Sequence, residues 1–386
     1  MRICLVTETL STGVGRHILD LAVALESLGH LIHVIYSPFR ADPWLVERLH
    51  SHRGIRVSLL PMRRRPHPTD IGVLIRLALY LRRQGPFDAV HGHSSKAGAL
   101  VRLLRPLIPG RIVYTPHAFI TMSPGLGHLT RIFYGTIERL LAYLAHKIIC
   151  TSRIELAHAC QLGLPMRKLA LVPNGINPPP DETGSECLHL PPNTTVFGYV
   201  GRFDFQKAPD ELVRAACILL RRGHAAHFVL VGDGPLRASL RQTVSEVELD
   251  HAFTWIGAVE AAPIMRQFDA IVLPSRYEGF SYVLIEALSC GLPILTTPVG
   301  GAAETVSDGE NGYIVPIGDA PSLARRMEQI IQDPPRRRRM AQQSRERFIL
   351  FTRSRMAKTI ERLYRRENPR AVNPPASPTS PAYKTD

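Results

Sequence analysis

Residues Asn174–Asn193, NGINPPPDETGSECLHLPPN, decide how the chain divides. Pro, Gly and polar side chains dominate the stretch, and no apolar period runs through it for a helix or strand to bury. It reads as a connector. Upstream, short β-branched runs alternate with longer helical ones. Ile3–Val6 leads through a Gly-containing turn into a helix near Arg16 to Leu28, which Gly29 ends, and Leu31–Tyr36 is the next strand. Further strands are expected at Ile55–Leu60, Ala89–Val90, Ile112–Tyr114 and Lys147–Cys150, with helices at 71–84, 95–105 and 129–145. Downstream a second series opens at Val196–Val200. It runs through Phe228–Val231, Phe253–Ile256, Ala270–Leu273, Ile294–Thr296 and Tyr313–Val315, with helices at 209–222 and 281–290 among its crossovers. Each series has the rhythm of a parallel sheet covered by helices. The fold class is therefore α/β, with Rossmann-like domains at 1–175 and 195–347, a linker at 176–194 and a Pro-rich disordered tail at 368–386. Two such sheets facing each other leave a cleft outside the carboxyl ends of their strands.

The bulk numbers agree with two cores. The chain has 386 residues, 45% of them hydrophobic, which exceeds what one ordinary core holds. Its net charge is +14, with basic runs at Arg63–Arg65, Arg82–Arg83, Arg221–Arg222, Arg336–Arg339 and Arg362–Arg366. Such runs suit nucleotide phosphates or an anionic membrane leaflet. No zinc-finger spacing, helix-turn-helix signature or aromatic ladder accompanies them, so nucleic acid is not the expected partner. Six cysteines (Cys4, Cys150, Cys160, Cys187, Cys217, Cys290) are scattered singly, as in a reduced cytosolic protein. The N-terminus reads as a strand rather than a signal peptide. No apolar run approaches the length of a membrane span.

The chemistry is sought at the strand ends. TLSTGVGRH places Gly13 and Gly15 before a helix, where backbone amides suit a phosphate, although a plain tight turn also accounts for them. A dinucleotide fingerprint would need a third Gly where Ile18 stands, and an acid near Ser37 and Pro38. His117 leaves a strand in Tyr114–His117, positioned to donate to a phosphate or a sugar hydroxyl or to serve as a structural histidine. His91 and His93 follow another strand without a Cys, Asp or Glu at zinc spacing, so no metal is expected. In GRFDFQK, Arg202 and Lys207 bring two cations to the cleft mouth, suited to a departing diphosphate, if the loop is not simply solvated. Gly232 in LVGDGP, and Gly300 and Gly301 before a helix, allow close backbone approach to an anion. Finally, EGFSYVLIE puts Glu278 in a loop and Glu286 about one turn into the helix that Ser281 caps. Acids so spaced meet hydroxyls at two ends of an extended ligand such as a nucleotide-sugar.

This ordered set resembles the large retaining glycosyltransferase family of the GT-B fold, group 1 or family 4, which includes sucrose-phosphate synthases and many bacterial exopolysaccharide, capsule and O-antigen transferases. The likeness covers about residues 1 to 360. It rests on the E-x7-E of Glu278 through Glu286, on ALSCGLPILTTPVGGAAE, GRFDFQK and LVGDGP, and on VPNGI at Val172–Ile176. The resemblance implies acceptor binding on the first domain and donor binding on the second, with 348–364 crossing back to the first. It implies that Arg202 and Lys207 bind the donor diphosphate and that Glu278 contacts the transferred sugar, with the amides of Gly279 and Phe280 nearby. It implies that Glu286 holds the ribose, that Gly13 and Gly15 lie beside the diphosphate, and that His117 lies near sugar and phosphate. Retention by front-face substitution, with no cofactor and no divalent ion, is implied likewise. Thr12-Gly13, Asn177 and Ala208 depart from the family's usual residues without removing a contact.

UDP-sugars are the favoured donor. Phe119–Lys147 combines apolar side chains with Arg131 and Arg139, and with Arg63–Arg65 it suits a lipid-linked acceptor at the inner leaflet. On the plainer reading Ile132, Leu140 and Leu144 pack into the core. TPHAFITM also resembles enzymes that build surface polysaccharide on a polyprenyl carrier. The expected protein is cytoplasmic and peripheral on the inner membrane. The alternatives are a same-fold transferase with a small soluble acceptor, a nucleotide-sugar 2-epimerase, or a non-catalytic binder.

Overall fold

The computed structural model describes residues 1–63, 65–178 and 188–365, so 179–187 of the central connector, Arg64 and the expected tail lie outside the described residues. Among the described residues thirteen strands fall into two sheets. The first holds β1 (Arg2–Thr7), β2 (Leu31–Tyr36), β3 (Ile55–Leu59), β4 (Ala89–His93), β5 (Arg111–Thr115), β6 (Lys147–Cys150) and β7 (Leu169–Leu171). The second holds β8 (Thr195–Val200), β9 (Ala226–Val231), β10 (Phe253–Ile256), β11 (Ala270–Leu273), β12 (Ile294–Thr296) and β13 (Gly312–Ile314). The orders are β3-β2-β1-β4-β5-β6-β7 and β10-β9-β8-β11-β12-β13, with every named pairing parallel. Each sheet therefore reverses its winding at one place, between β1 and β4 and between β8 and β11. Ligands of open α/β sheets gather beyond the carboxyl ends at such places.

Burial on both faces explains the composition of the inner strands. Ile3, Leu5, Val34 and Val113 of the first sheet pack under the helices Thr12–Ser27 and Pro43–His50, while Cys4, Val6, Val90 and Ile112 pack under Asp70–Gln84 and Ser95–Leu103. The second sheet builds one face on stacked aromatics, with Phe228 lying between Phe197 and Phe253. Its other face packs on the helix Tyr282–Cys290, which ends at Gly291 with φ 69°.

The last helices belong to different cores. Pro334–Phe348 packs along Tyr282–Cys290. The chain then passes Phe351 and pairs Thr352 with Ile176, and Arg353–Tyr364 buries Met356, Ala357, Ile360 and Leu363 in the core of the first sheet. The Tyr364 hydroxyl lies 2.7 Å from His91 Nδ1, and Glu361 meets His30 at 3.0 Å.

Three local expectations are corrected. The strand that leads into HGH does not stop at Val90: β4 continues through His91 and His93, because this central strand is buried along its whole length. The first helix begins at Thr12, so Gly13 and Gly15 form its first turn instead of preceding it. The helix after Gly301 is only Ala302–Thr305.

Candidate active site

The two winding reversals face each other. On the second sheet, the loop after β8 carries Arg202 and Lys207, and the loop after β11 carries Glu278. Lys207 Nζ donates to Glu278 Oε1, which also accepts from the Ser275 hydroxyl at 3.0 Å. Arg276 fastens these loops together. Its backbone amide donates to the Gln206 carbonyl at 2.8 Å, and its guanidinium spans Asp210 and Glu211 at 2.6 and 3.1 Å, lying over the Phe205 ring. This network holds the Asp210 carboxyl below its usual range despite opposing burial. Arg202 is exposed and its guanidinium meets Asp204 at 2.8 Å. The cation expected at the donor diphosphate and the acid expected at the transferred sugar are thus directly paired. An entering diphosphate would meet Lys207 already oriented by that carboxylate.

Glu286 stands on the helix Tyr282–Cys290, facing the first domain. Burial pushes its carboxyl up, against the pull of Arg16. Arg16 donates to Asp20 at 2.9 Å, and Asp20 also faces Arg353 at 3.6 Å. Ser281 occupies the cap position of this helix but its hydroxyl makes no capping bond, which corrects the expected cap.

The first sheet supplies the opposite wall. His117 and Ala118 both adopt positive φ, 54° and 78°, which costs free energy for residues with a side chain. Glu155 over-determines that turn: its carboxylate accepts from Ala118 N and Thr151 N at 2.6 Å each, and Ser152 caps the helix from below. His117 Nε2 lies 3.1 Å from His93 Nδ1, and the His117 ring meets His17 edge-on at 4.6 Å between centroids. His17 Nδ1 lies 2.9 Å from the side-chain oxygen of Asn174, within VPNGI. Burial drives His91, His93 and His117 well below the ordinary imidazole range and His17 down to about 4, so all four are neutral near pH 7.

The glycines mostly allow surfaces to close. A Cβ at Gly279 would lie 3.2 Å from the Ala118 methyl, so the Glu278 loop reaches the His117 turn across the cleft. A Cβ at Gly300 would collide with the Gly279 carbonyl, and Gly301, at φ 90°, packs by Phe280. Gly232 packs on the Gly201 carbonyl, and its amide donates to Ile256 at 3.0 Å. Gly15 packs on Leu10 and Leu45, which accounts for its missing side chain without a ligand. Gly13 is exposed, across from Tyr282.

Comparison with known proteins accounts for both halves. Residues 11–179 match Glycosyltransferase Family 4 and residues 183–347 match Glycosyl transferases group 1. The chain belongs to the group 1 glycosyltransferases. A UDP-Gal:alpha-D-GlcNAc-diphosphoundecaprenol alpha-1,3-galactosyltransferase of Escherichia coli is 29% identical over 68% of this chain and 71% of its own. A 2-deoxystreptamine glucosyltransferase of Streptomyces kanamyceticus is 26% identical over 66% and 70%. Among solved structures, Anabaena HepE in complex with UDP superposes with a TM-score of 0.78 at 19% identity, covering 94% of this chain and 98% of that one. Sucrose-phosphate synthase from Thermosynechococcus elongatus gives 0.76 at 24% identity, over 95% and 98%. These likenesses establish the GT-B fold, two parallel sheets with helices.

Within this glycosyltransferase, several site residues escaped the sequence reading. Arg276, Ser275, Asp210 and Glu155 orient groups that motifs single out, and His17 joins His93 and His117. Ser275 and Arg276 adjoin the Glu278 motif and were within reach of a reading by proximity. His17 ends the TLSTGVGRH stretch, but only the folded sheet shows that it meets His93 and His117.

Proposed function

We propose that the chain transfers a sugar from a nucleoside-diphosphate sugar, with UDP as the nucleotide, to a hydroxyl of a polyprenyl-linked glycan, keeping the anomeric configuration. The carrying observation is the Lys207–Glu278 pair held opposite His117. In this reading Lys207 and Arg202 neutralise the diphosphate as the bond from the anomeric carbon to its oxygen breaks. The acceptor oxygen forms the new bond on the same face, and its proton passes to the departing phosphate oxygen. Glu278 contacts the transferred sugar, Glu286 the ribose, and the amides of Gly279 and Phe280 the sugar side. Gly13 and Gly300–Gly301 edge the diphosphate. The two cations take the place of a divalent ion.

The lipid-linked acceptor is supported by the helix His128–Ala142 and its flank. Leu129, Ile132, Phe133, Leu140 and Tyr143 are exposed along one stripe, while Gly135, Glu138, Leu141 and Ala142 face the core. This excludes the plainer reading for Ile132 and Leu140, whereas Phe119, expected in the patch, is buried. Arg139 flanks the stripe, and the exposed Arg131 lies round the helix from it, donating to the Ser123 carbonyl at 3.1 Å. An apolar stripe with cations suits the boundary of an anionic leaflet, and no helix among the described residues is long and apolar enough to cross a membrane. The 2-deoxystreptamine relative favours a small soluble acceptor as the second reading. Radiolabelled UDP-sugar incubated with lipid-linked glycan in chelator distinguishes them. Label entering the lipid fraction with retained configuration is expected; label entering only water-soluble product would remove the lipid acceptor.

A further inference from the structure

Three imidazoles, two at strand ends and one on a helix, meet in the first domain at the cleft. His17 lies on the helix after β1, His93 ends β4, and His117 follows β5. One ring nitrogen of each lies within 4.8 Å of those of the other two. His93 Nδ1 and His117 Nε2 are 3.1 Å apart. Two nitrogens on a tetrahedral zinc ion, bonded at about 2.0–2.1 Å, lie about 3.3 Å apart, so this pair already has nearly the spacing of two ligands.

The third nitrogen follows from the tautomer. The side-chain oxygen of Asn174 only accepts, so His17 Nδ1 carries the proton and Nε2 the lone pair. That Nε2 is buried and has no hydrogen-bond partner among the described residues. A bare acceptor in the interior is unfavourable unless something fills it. Asn174 also fixes the ring as an outer oxygen fixes a ligating histidine.

We propose that His17, His93 and His117 together bind one divalent ion of the zinc class, with the fourth position opening to the cleft. His17 and His93 are buried while His117 is half-buried, so the ion enters from the His117 side and a water or anionic oxygen completes the tetrahedron. Three neutral nitrogens select zinc, copper or nickel over magnesium or calcium, which take oxygen ligands. One consequence rests on the sugar-transfer reading: an ion on His117 withdraws that imidazole from the donor, so zinc inhibits transfer and a chelator restores it.

The test uses the full chain, free of any affinity tag and stripped of metal, competing with a chromogenic indicator for zinc, and cobalt absorption to report geometry. One zinc per chain and a tetrahedral cobalt spectrum are expected. His17→Gln and His93→Gln should each weaken zinc at least about tenfold, and Asn174→Ala, which leaves every ligand in place, by about 10–100-fold. Cys160→Ser, at an exposed thiol, should change nothing. Circular dichroism checks each fold; if the histidine variants unfold, the wild-type cobalt spectrum and Asn174→Ala decide. Wild-type protein that fails to compete, or zinc held equally by the folded variants, overturns the site while leaving sugar transfer standing. Zinc bound stoichiometrically without loss of transfer overturns the inhibitory consequence.

Discussion

Lys207 and Glu278 make the most consequential contact between two side chains in the second domain. Each partner orients the other, so removing either disturbs both the leaving-group cation and the sugar contact. Glu278→Gln and Lys207→Ala should each lower kcat by on the order of 10²-fold or more with little change in thermal stability. The double variant should lose much less than the product of the two, because residues acting as a unit are not additive. Steady-state kinetics on the three proteins checks this, and a strictly multiplicative loss would separate the two roles. A second residue concerns stability. His33, on β2, packs edge-on against Phe87 and is pushed down to about 4 by burial, with Arg56 and Arg2 adding to the effect. Unfolded, it takes up a proton at its ordinary value of 6.5. Its effect on stability is therefore absent above that value and grows as pH falls towards 4, reaching at most about 3 kcal/mol. Urea unfolding from neutral to mildly acidic pH should lose less stability in His33→Gln than in wild type; equal losses would show that His33 is not the group responsible. Glu278 and Lys207 were legible in the sequence because their motifs are local. Their direct pairing was not, since the β8 and β11 loops are separated by about seventy residues and adjacent only in the sheet order.

Among the elements, the helix His128–Ala142 carries opposite demands on its two faces. Inward, Glu138 accepts from Arg102 Nη1 at 2.8 Å and from the Tyr114 hydroxyl at 3.2 Å, while the Arg102 guanidinium lies 3.9 Å from the Tyr114 ring centre. Arg102 is wholly buried. Glu138→Ala would strand that cation and should cost about 3–5 kcal/mol, whereas replacing both partners with apolar residues should cost far less. Chemical denaturation of the single and double variants measures the difference. Outward, Leu129 is 82% exposed and Phe133 lies one turn on. Leu129→Glu with Phe133→Glu should leave stability unchanged within about 0.5 kcal/mol and release the chain from anionic vesicles in a flotation assay. Undiminished flotation would place membrane contact elsewhere. The apolar pattern of this helix is visible in sequence, but its period alone does not say which apolar residues face the core. Glu138 and Gly135 mark the buried side, the reverse of what hydropathy suggests. β4 was cut short for a related reason: HGH has no hydrophobic pattern, yet His91 is satisfied inside the sheet by Tyr364 and Thr115.

At the scale of the molecule, two sheets that share one strand order apart from the extra β7 set their winding reversals against one cleft. That much follows from the alternation of strands and helices and from the Pro-rich connector. The contacts across the cleft do not. Gly279 against Ala118, and the Arg153 amide donating to Glu304, depend on how the domains meet. The helix Arg353–Tyr364 ties the end of the second domain to the core of the first, so the cleft is bounded by chain segments on more than one side. The central claim is that this cleft consumes a nucleoside-diphosphate sugar without a divalent ion. Purified chain should therefore be offered UDP-, GDP-, ADP- and dTDP-sugars with EDTA and lipid-linked glycan, and the released nucleotide measured. The account predicts release of UDP, coupled to labelled lipid and abolished by Glu278→Gln. Nucleotide release only after magnesium or manganese is restored, or release untouched by Glu278→Gln, would contradict it.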